Sequence, residues 1–433
     1  MKRDLITNLE KWKNSPTRKP LILQGARQVG KTFLLKEFGK TNFDSCIYLN
    51  FDADETLDTI FNGTHKISDI IDLIGIREEK KIIPGKTLLI FDEVQFQEYA
   101  LNSLKYFQEN APEYHIVAAG SLLGISLSGK KSFPVGKVNF MTLHPMNFLE
   151  FLTALSKTSL REFLDNKKDY SDIPDVLHRE LTSLLKIYTF IGGMPEAVSV
   201  YLQTHDLIEV RKIQNEILSS QRKDFARHAS KADAIKINQI LDSIPLQLAK
   251  ENKKFVFSAV KGSARSRDYE TAMQWLLDAG LIHKVTCVSR PLLPLDAYLT
   301  AAFKIYFFDT GLLAAMVNLS QQTLIGESDI FIHFKGSMTE NLAVQALIPT
   351  HERLYYWRSE GQAEIDFILS VEDKIVPIEI KSGTSVKSKS LGIYADKFSP
   401  ATLLRASLKN FSHHGITIEI PLYALIKVHS FLN

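Results

Sequence analysis

The chain has 433 residues, of which 45% are hydrophobic and 23% are charged, and 52 Lys and Arg against 49 Asp and Glu leave a formal net charge of +3. These values exclude disordered, collagen-like and coiled-coil proteins. At roughly 150 residues per domain, the length predicts about three domains, each able to bury its own core. The two cysteines, Cys46 and Cys287, are too few for a zinc cluster and are typical of thiols in a reducing compartment. No apolar run reaches the length of a membrane span, and the charged N-terminus lacks a secretory pattern, so we expect a cytoplasmic protein without a membrane partner.

Residues 1–150 alternate apolar runs with helical patterns. The first 20 residues predict a helix followed by a polar turn, and a second helical pattern covers Phe33–Phe38. Strands are predicted at Leu21–Gln24, Cys46–Phe51, Thr87–Phe91 and His115–Ala119. Strands that alternate with helices are typical of a parallel sheet covered on both faces. The predicted fold class is therefore α/β, with a parallel-sheet domain over residues 1–150.

Changes in the pattern predict three further segments. Residues 151–232 are strongly helical. Residues 233–333 contain a long amphipathic helix, a basic stretch, a second helix and an extended run that begins at Leu281. Residues 334–433 contain a helix around Met338–Ile348, followed by strand candidates at Leu354–Trp357, Glu364–Leu369 and Ile375–Ile380.

A glycine-containing loop lies between the first predicted strand and the helix that follows it. Its residues are Gly25, Ala26, Arg27, Gln28, Val29, Gly30, Lys31 and Thr32, which fit the pattern G-x-x-x-x-G-K-[ST]. Glycines allow backbone N–H groups to surround phosphate oxygens, and the N-terminus of the next helix adds positive charge. In this pattern Lys31 reaches the β- and γ-phosphates as a catalytic group, and Thr32 ligates Mg²⁺. ATP and Mg²⁺ are the predicted cofactors, and a chance match in a glycine-containing turn is the alternative.

Two acidic residues, Asp92 and Glu93, follow the strand predicted at Thr87–Phe91. A carboxylate at the tip of such a strand can hold Mg²⁺ through water, which is the role of Asp92 in a Walker B motif. Glu93 is then the catalytic residue that polarises the attacking water, with a solvated strand end as the alternative. Ser121, at the end of the strand His115–Ala119, is a candidate sensor of the γ-phosphate, although an ordinary turn also explains it.

The segment 233–333 predicts a winged-helix-like domain, because two helices with a basic stretch between them precede Gly280 and an extended run. Five cations occur in the basic stretch without an intervening acid: Lys253, Lys254, Lys261, Arg265 and Arg267. Such a stretch suits phosphate neutralisation, so DNA is the predicted macromolecular partner. A solvated loop or a protein contact is the alternative.

Alternating residues mark two C-terminal strands joined by the short turn Ser370–Lys374. Pairing of these strands is expected to bring Asp366 near Glu379, and two carboxylates form a hard oxygen site for a second Mg²⁺ or for Mn²⁺. Lys381 shares a face with Glu379 and is predicted to orient or activate a water. Metal-assisted attack on a phosphodiester requires this combination, whereas an amphipathic strand edge is the simpler interpretation.

These motifs resemble those of two known groups of proteins. Residues 25–32 with Asp92 and Glu93 resemble AAA-type ATPases, in the branch related to archaeal and STAND-type P-loop ATPases. That resemblance implies hydrolysis completed by an arginine, for which Arg222 and Arg227 are candidates and a solvated helix face is the alternative. The pattern D-x₁₂-E-x-K at Asp366, Glu379 and Lys381 resembles the core of PD-(D/E)xK nucleases, with Ile365 in place of the proline. It implies a restriction-endonuclease-like fold over residues 334–433 and adds Glu340 as a metal ligand beside Asp366 and Glu379.

Four further segments extend the resemblance over nearly the whole chain: Ile191–Pro195, Ser243–Leu248, Lys304–Leu312 and Lys335–Asn341. With the motifs above, they resemble a prokaryotic ATPase family that joins an AAA-type ATPase, a winged-helix segment and a C-terminal nuclease-like domain of unknown function. The Gly-Gly and Asp-Thr-Gly motifs in these segments are interpreted as structural turns.

The expected function is an ATPase whose nucleotide state controls DNA engagement, with a metal-dependent nuclease-like domain attached. Two alternatives stay open: a non-cleaving module that binds nucleic acid or a partner, and a STAND-like signalling ATPase that assembles with itself or with a protein. The small net charge does not exclude DNA, because residues 40–115 carry a net charge of −7 and the remainder of the chain carries +10.

Overall fold

The structure, a computed structural model, describes residues 1–62, 66–120, 136–262, 264–320, 332–361, 363–383 and 389–432. These residues form two compact units: residues 1–144 with 278–280, and residues 145–277 with 281–433. The predicted sensor Ser121 lies outside the described residues. Within them, no helix is both long enough and apolar enough to cross a membrane.

The first unit is built on a parallel sheet of five strands in the order β2-β3-β4-β1-β5. Its strands are β1 (Leu21–Gln24), β2 (Ser45–Asn50), β3 (Thr87–Asp92), β4 (His115–Ala119) and β5 (Asn139–Thr142). Its helices are α1 (Ile6–Lys13), α2 (Lys31–Asn42), α3 (Leu57–Asn62), α4 (Ile67–Arg77) and α5 (Glu98–Asn110). The four predicted strands and the parallel α/β sheet are confirmed, and the edge strand β5 is an addition.

The order of the strands places β4 between β1 and β3, so the glycine-containing loop and the acidic strand end are two strands apart at one edge of the sheet. Strand β3 is buried along its whole length. Central parallel strands bury both faces, which explains the continuous apolar run before Asp92.

The second unit combines helices with a mixed sheet of eight strands in the order β12-β13-β11-β10-β9-β8-β6-β7. Its strands are β6 (Ile282–Val288), β7 (Leu299–Phe307), β8 (Leu354–Arg358), β9 (Glu364–Val371), β10 (Lys374–Ile380), β11 (Leu403–Ser407), β12 (Ser412–His414) and β13 (Thr417–Pro421). The helices from Phe148 to Leu248 are α6 (Phe148–Ala154), α7 (Thr158–Asn166), α8 (Asp175–Ile191), α9 (Pro195–Thr204), α10 (Leu207–His228) and α11 (Lys231–Leu248). The later helices are α12 (Ser266–Asp278), α13 (Thr310–Met316), α14 (Ile332–Leu347), α15 (Lys389–Phe398) and α16 (Val428–Leu432).

The hairpin β6–β7 follows α11 and α12, as the winged-helix prediction requires, but it does not form a separate wing. Strand β6 pairs in parallel with β8, so the hairpin belongs to the same sheet as the C-terminal strands. The predicted boundary between residues 333 and 334 therefore does not separate two sheets. The division into four domains stays a prediction, because the second unit groups residues 145–277 and 281–433.

The Gly-Gly motif (Gly192 and Gly193) and the Asp-Thr-Gly motif (Asp309 to Gly311) pack directly against each other in the second unit, and together they are called the interlocked glycine turn. A Cβ atom on Gly192 would lie 2.2 Å from the Asp309 carboxylate, one on Gly193 would lie 2.1 Å from the carbonyl oxygen of Met146, and one on Gly311 would lie 2.2 Å from the carbonyl oxygen of Ile191. The Gly193 N–H donates to Asp309 Oδ2 at 2.6 Å. These contacts agree with the interpretation of both motifs as structural turns.

Candidate functional site

The loop between β1 and α2 has the backbone that a phosphate-binding loop requires. Gly30, with φ +94°, adopts the left-handed conformation immediately before α2, and Gln28 has φ +65°. Gly25 has φ +145°, and a Cβ atom there would lie 2.2 Å from the carbonyl oxygen of Leu143. Only glycine fits both the conformation and the close approach at position 25. The N-terminus of α2 therefore follows directly from a tightly curved loop, as in anion-binding loops.

Lys31 lies across this loop and is only 7% exposed. Its ammonium donates to the carbonyl oxygens of Gly25, at 2.8 Å, and of Ala26, at 2.9 Å. Burial lowers the pKa of Lys31 to about 8, although the carboxylates of Glu93 and Asp92 oppose that shift. The cation is thus held at the loop by groups that a phosphate oxygen can replace.

Asp92, at the end of β3 and 2% exposed, is the centre of a hydrogen-bond network. Its Oδ2 accepts from the Thr32 hydroxyl at 2.7 Å and from the Tyr48 hydroxyl at 2.8 Å. Its Oδ1 accepts from the N–H of Glu93 at 3.0 Å. A hydroxyl and a carboxylate in contact are oxygen ligands of the kind that Mg²⁺ prefers, so Thr32 and Asp92 fit the predicted magnesium ion.

Glu93 adopts the left-handed conformation, with φ +52°, directly after the buried strand. Its carboxylate accepts a hydrogen bond from the side-chain amide of Gln95. Non-glycine residues in this region of backbone space are uncommon and occur frequently at functional sites. The structure thus brings Lys31, Thr32, Asp92 and Glu93 to one edge of the sheet, as the sequence predicts.

Two functional residues escape the sequence patterns. Tyr48 lies in a predicted strand, but its hydroxyl contact with Asp92 depends on the pairing of β2 with β3. Arg3 is 5% exposed and donates to the carbonyl oxygens of Val29, at 2.8 Å, and His144, at 2.6 Å. Arg3 therefore braces the phosphate loop from the N-terminal segment. Its sequence neighbourhood carries no signal of this contact.

The second site is a buried cluster of charges in the eight-stranded sheet, centred on Lys304 of β7. The Lys304 ammonium lies 2.6 Å from Glu364 Oε1 and 3.9 Å from Glu340 Oε2, and Lys304 is 1% exposed. The Tyr306 hydroxyl donates to Glu340 Oε2 at 2.7 Å, and the Lys253 ammonium pairs with Glu340 Oε1. Burial alone would lower the pKa of Lys304, but the surrounding carboxylates reverse the shift and raise it, so the ammonium keeps its proton.

Helix α14 is fixed against the edge strand of this sheet, and this contact positions Glu340. The Asn341 side chain accepts from the N–H of Phe307 at 2.8 Å and donates to its carbonyl oxygen at 2.9 Å. The lysines around Glu340 hold its pKa below the usual range against the effect of burial. Glu340 is therefore a buried, charged and fully engaged carboxylate.

The three residues of the D-x₁₂-E-x-K pattern lie on the predicted hairpin. Strands β9 and β10 are antiparallel neighbours, and their pairing runs from Val371 opposite Lys374 to Phe367 opposite Ile378. This pairing confirms the hairpin. Asp366 Oδ2 accepts from the N–H of Ile380 at 2.8 Å, and burial with the negative charge of Glu340 raises the pKa of Asp366 to about 7.

Glu379, 4% exposed, pairs with different cations from those around Glu340. Its Oε1 lies 2.8 Å from the Lys381 ammonium, and its Oε2 lies 3.8 Å from Arg405 Nε. Arg405 also pairs with Glu419 of β13. Lys381 is thus confirmed as a neighbour of Glu379, but its other predicted role, towards water, is untested.

The predicted metal ligands Glu340, Asp366 and Glu379 each contact a cation or a backbone N–H in this structure. Among the residues that the structure describes, no three acidic, histidine or cysteine side chains form a group able to hold a metal. The physical reason is that lysine and arginine side chains, together with a backbone N–H, already engage these carboxylates. A metal site at Glu340, Asp366 and Glu379 stays a prediction.

The five cations of the basic stretch in residues 253–267 have two different environments. Lys253 pairs with Glu340, whereas its predicted contact with DNA stays a prediction. The other four cations remain exposed: Lys254, Lys261, Arg265 and Arg267. Arg222 pairs with Asp242 and donates to Asn238 at 3.0 Å, as expected of a structural helix-face residue.

Three family models match successive parts of the chain. Residues 17–152 match a family described as an AAA domain. Together with the geometry of the loop, this match defines an AAA-type P-loop ATPase domain. Residues 182–323 and 335–425 match two domains of unknown function, DUF8612 and DUF4143. No curated protein matches the chain.

Solved structures similar to this chain include three archaeal proteins. The Walker-type ATPase PABY2304 of Pyrococcus abyssi is 13% identical, with a TM-score of 0.46 over 73% of this chain and 95% of that chain. The Orc1 protein of Aeropyrum pernix in complex with DNA is 12% identical, with a TM-score of 0.30 over 73% and 90%. The Orc2 protein of Aeropyrum pernix in its ADP form is 15% identical, with a TM-score of 0.31 over 77% and 93%.

Proposed function

We propose that the first unit binds ATP with Mg²⁺ and hydrolyses it. The observation that carries this proposal is the Thr32–Asp92 contact of 2.7 Å beside a loop that holds Lys31. Thr32 and Asp92 would hold the metal, and Lys31 would bind the β- and γ-phosphates. Bound Mg²⁺ neutralises charge on the phosphates. Glu93 accepts a proton from the attacking water. The Glu93 carboxylate becomes available for this role when the Gln95 side chain releases it.

The variant Glu93→Gln tests this assignment because it keeps the size of the side chain and removes its basicity. We expect ATP binding to change little and the rate constant of hydrolysis to fall by about 100-fold or more, as for other positioned proton acceptors. Glu37→Gln, an exposed substitution on α2, is the control. Unchanged hydrolysis in Glu93→Gln would remove Glu93 from the mechanism, and a wild-type chain that does not bind ATP would overturn the proposal.

We further propose that the chain associates with DNA through the exposed cations that precede α12 and begin it. Lys254, Lys261 and Arg265 are exposed, and Arg267 is exposed beside Asp268 at 3.7 Å. No acidic residue occurs between positions 253 and 267. Several cations in one short segment suit contact with phosphates, which requires no base recognition.

The double variant Lys261→Ala, Arg265→Ala tests the DNA contact through its salt dependence. Each phosphate contact contributes about 0.9 to the slope of log K against log salt on duplex DNA, so the slope should fall by about 1.8. Fluorescence anisotropy with a labelled duplex measures it. Lys11→Ala, Lys374→Ala removes two exposed lysines elsewhere and should leave the slope unchanged. Equal slopes for all three proteins would contradict the proposal.

For the C-terminal strands, the geometry favours the non-cleaving alternative over the metal-dependent nuclease. The carboxylates of the D-x₁₂-E-x-K pattern are engaged by Lys381, Arg405 and a backbone N–H. We expect no cleavage of single-stranded, duplex or branched DNA with Mg²⁺ or Mn²⁺ by the wild-type chain or by Asp366→Ala. Cleavage by the wild type that Asp366→Ala abolishes would establish the nuclease instead.

A further inference from the structure

We propose that the ammonium of Lys304 is the resident cation of the carboxylates Glu340, Glu364 and Asp366, in the place that nuclease-like sites give to a divalent metal. The inference rests on the non-cleaving function proposed above. It adds a specific residue and a specific ion-binding property to that function.

The position of Lys304 makes it an integral part of the cluster. The residue lies within β7 rather than in a loop, and its ammonium is 2.6 Å from Glu364 and 3.9 Å from Glu340. The ring of Tyr356 lies 4.8 Å from the same ammonium, which adds a cation–π contact on an otherwise apolar side. A side chain that is 1% exposed and enclosed in this way cannot move into water without disrupting the sheet.

Glu340 and Asp366 have further partners besides Lys304. Glu340 receives the Lys253 ammonium on Oε1 and the Tyr306 hydroxyl on Oε2. Asp366 receives the N–H of Ile380 on Oδ2. The carboxylates therefore have positive charge and hydrogen-bond donors without a metal, as buried charges require.

A divalent ion placed among these carboxylates would lie beside two ammonium groups. Repulsion between like charges is strong in a buried site, where water does not screen it. Binding of a metal would require Lys304 to leave its carboxylates, and an unpaired buried ammonium is strongly unfavourable. Removal of Lys304 should therefore open a metal site that the natural chain lacks.

Binding of Mn²⁺ to the full-length chain, measured by electron paramagnetic resonance, tests the inference directly. All samples carry Asp92→Asn, which removes the nucleotide-site ligand, and contain no nucleotide. We expect no stoichiometric Mn²⁺ in this parent and one Mn²⁺ per chain after Lys304→Ala is added. Adding Lys374→Ala, an exposed lysine on β10, should leave the parent unchanged.

Two results would overturn the inference. The first is one Mn²⁺ per chain in the parent that Asp366→Asn removes, a comparison that does not depend on the folding of any Lys304 variant. The second is a folded Lys304→Ala chain, verified by circular dichroism, that gains no Mn²⁺. DNA cleavage is scored separately, so a chain that binds Mn²⁺ without cleaving would refute the role of Lys304 and leave the non-cleaving function standing.

Discussion

Tyr48 illustrates how a single hydroxyl can position the proposed magnesium ligand. The Tyr48 hydroxyl and the Thr32 hydroxyl donate to the same oxygen of Asp92. The Lys36 ammonium lies 3.6 Å from the centre of the Tyr48 ring, so the ring is held independently of the hydroxyl. Tyr48 is thus a positioning residue, and Tyr48→Phe removes its donor to Asp92 together with its weak acceptor contact from the Asn50 amide at 3.3 Å.

We predict that Tyr48→Phe raises the Mg²⁺ concentration for half-maximal ATP hydrolysis by about 10-fold, since a hydrogen bond to a charged group contributes about 1.5–3 kcal/mol. The measurement is phosphate release across a Mg²⁺ titration at fixed ATP. Tyr99→Phe, at an exposed tyrosine, is the control. An unchanged Mg²⁺ requirement in Tyr48→Phe would show that the Tyr48 hydroxyl does not position Asp92.

Asp309 makes stability depend on pH. It is fully buried among uncharged donors, namely the N–H groups of Gly193 and Leu312 and the amide of Gln345. Burial raises the pKa of Asp309 to about 6, whereas an unfolded chain has a value of about 3.9. The native state therefore keeps a proton that the unfolded chain releases between about pH 4 and pH 6. The contribution of Asp309 to the free energy of unfolding therefore falls as pH rises through that window, and it no longer changes at higher pH.

Asp309→Asn removes this titration. The free energy of unfolding of the wild type relative to Asp309→Asn should fall by roughly 2 kcal/mol from pH 4 to pH 6, since one pKa unit corresponds to about 1.4 kcal/mol and the titration is incomplete at both ends of this range. Urea unfolding at four pH values measures the difference. Asp373→Asn, in the exposed turn between β9 and β10, is the matched control. A difference that stays constant or increases with pH would contradict the sign of the shift.

At the scale of elements, the interlocked glycine turn joins the end of α8 to the start of α13. The carbonyl oxygen of Gly193 accepts from the N–H of Met146 at 2.7 Å, and Asp309 caps α13 through the N–H of Leu312 at 2.9 Å. The close approach leaves no room for side chains at the glycines. This turn therefore connects three parts of the second unit that are distant in sequence.

We predict that Gly193→Ala lowers the free energy of unfolding by about 1–3 kcal/mol or more, because its Cβ would overlap the Met146 carbonyl oxygen. Gly392→Ala is the control, since Gly392 lies in α15 and a Cβ there meets no atom within 4 Å. That control should be neutral or stabilise the protein by up to about 1 kcal/mol through helix propensity. Calorimetric unfolding temperatures that are equal for Gly193→Ala and the wild type would refute the overlap.

Local patterns predict the elements whose signal is complete within a short segment. The apolar runs of β1, β3 and β4, the phosphate loop and the β9–β10 hairpin are examples. Strands β11 and β13 escape prediction because their burial comes from neighbours across the sheet, including their parallel pairing with each other. Pairing between distant segments also decides the contacts of Tyr48, Arg3 and Lys304, so periodicity carries no trace of them.

At the scale of the whole molecule, an acidic stretch in the nucleotide-binding unit contrasts with a basic remainder. Residues 40–115 carry a net charge of −7 within a total of +3. Lys253 belongs to the buried cluster, so the proposed DNA contact uses the four exposed cations of the basic stretch. The second unit uses part of its positive charge to neutralise its own carboxylates.

The central claim is that the loop from Gly25 to Thr32 supports ATP hydrolysis, and phosphate release by wild type and Lys31→Ala tests it most directly. Loss of a preorganised cation at the phosphates should reduce the rate by about 100-fold or more. Lys40→Ala, at an exposed position of the same helix, should retain the wild-type rate. Equal rates for wild type and Lys31→Ala, or a wild-type chain that binds no ATP, would contradict the account.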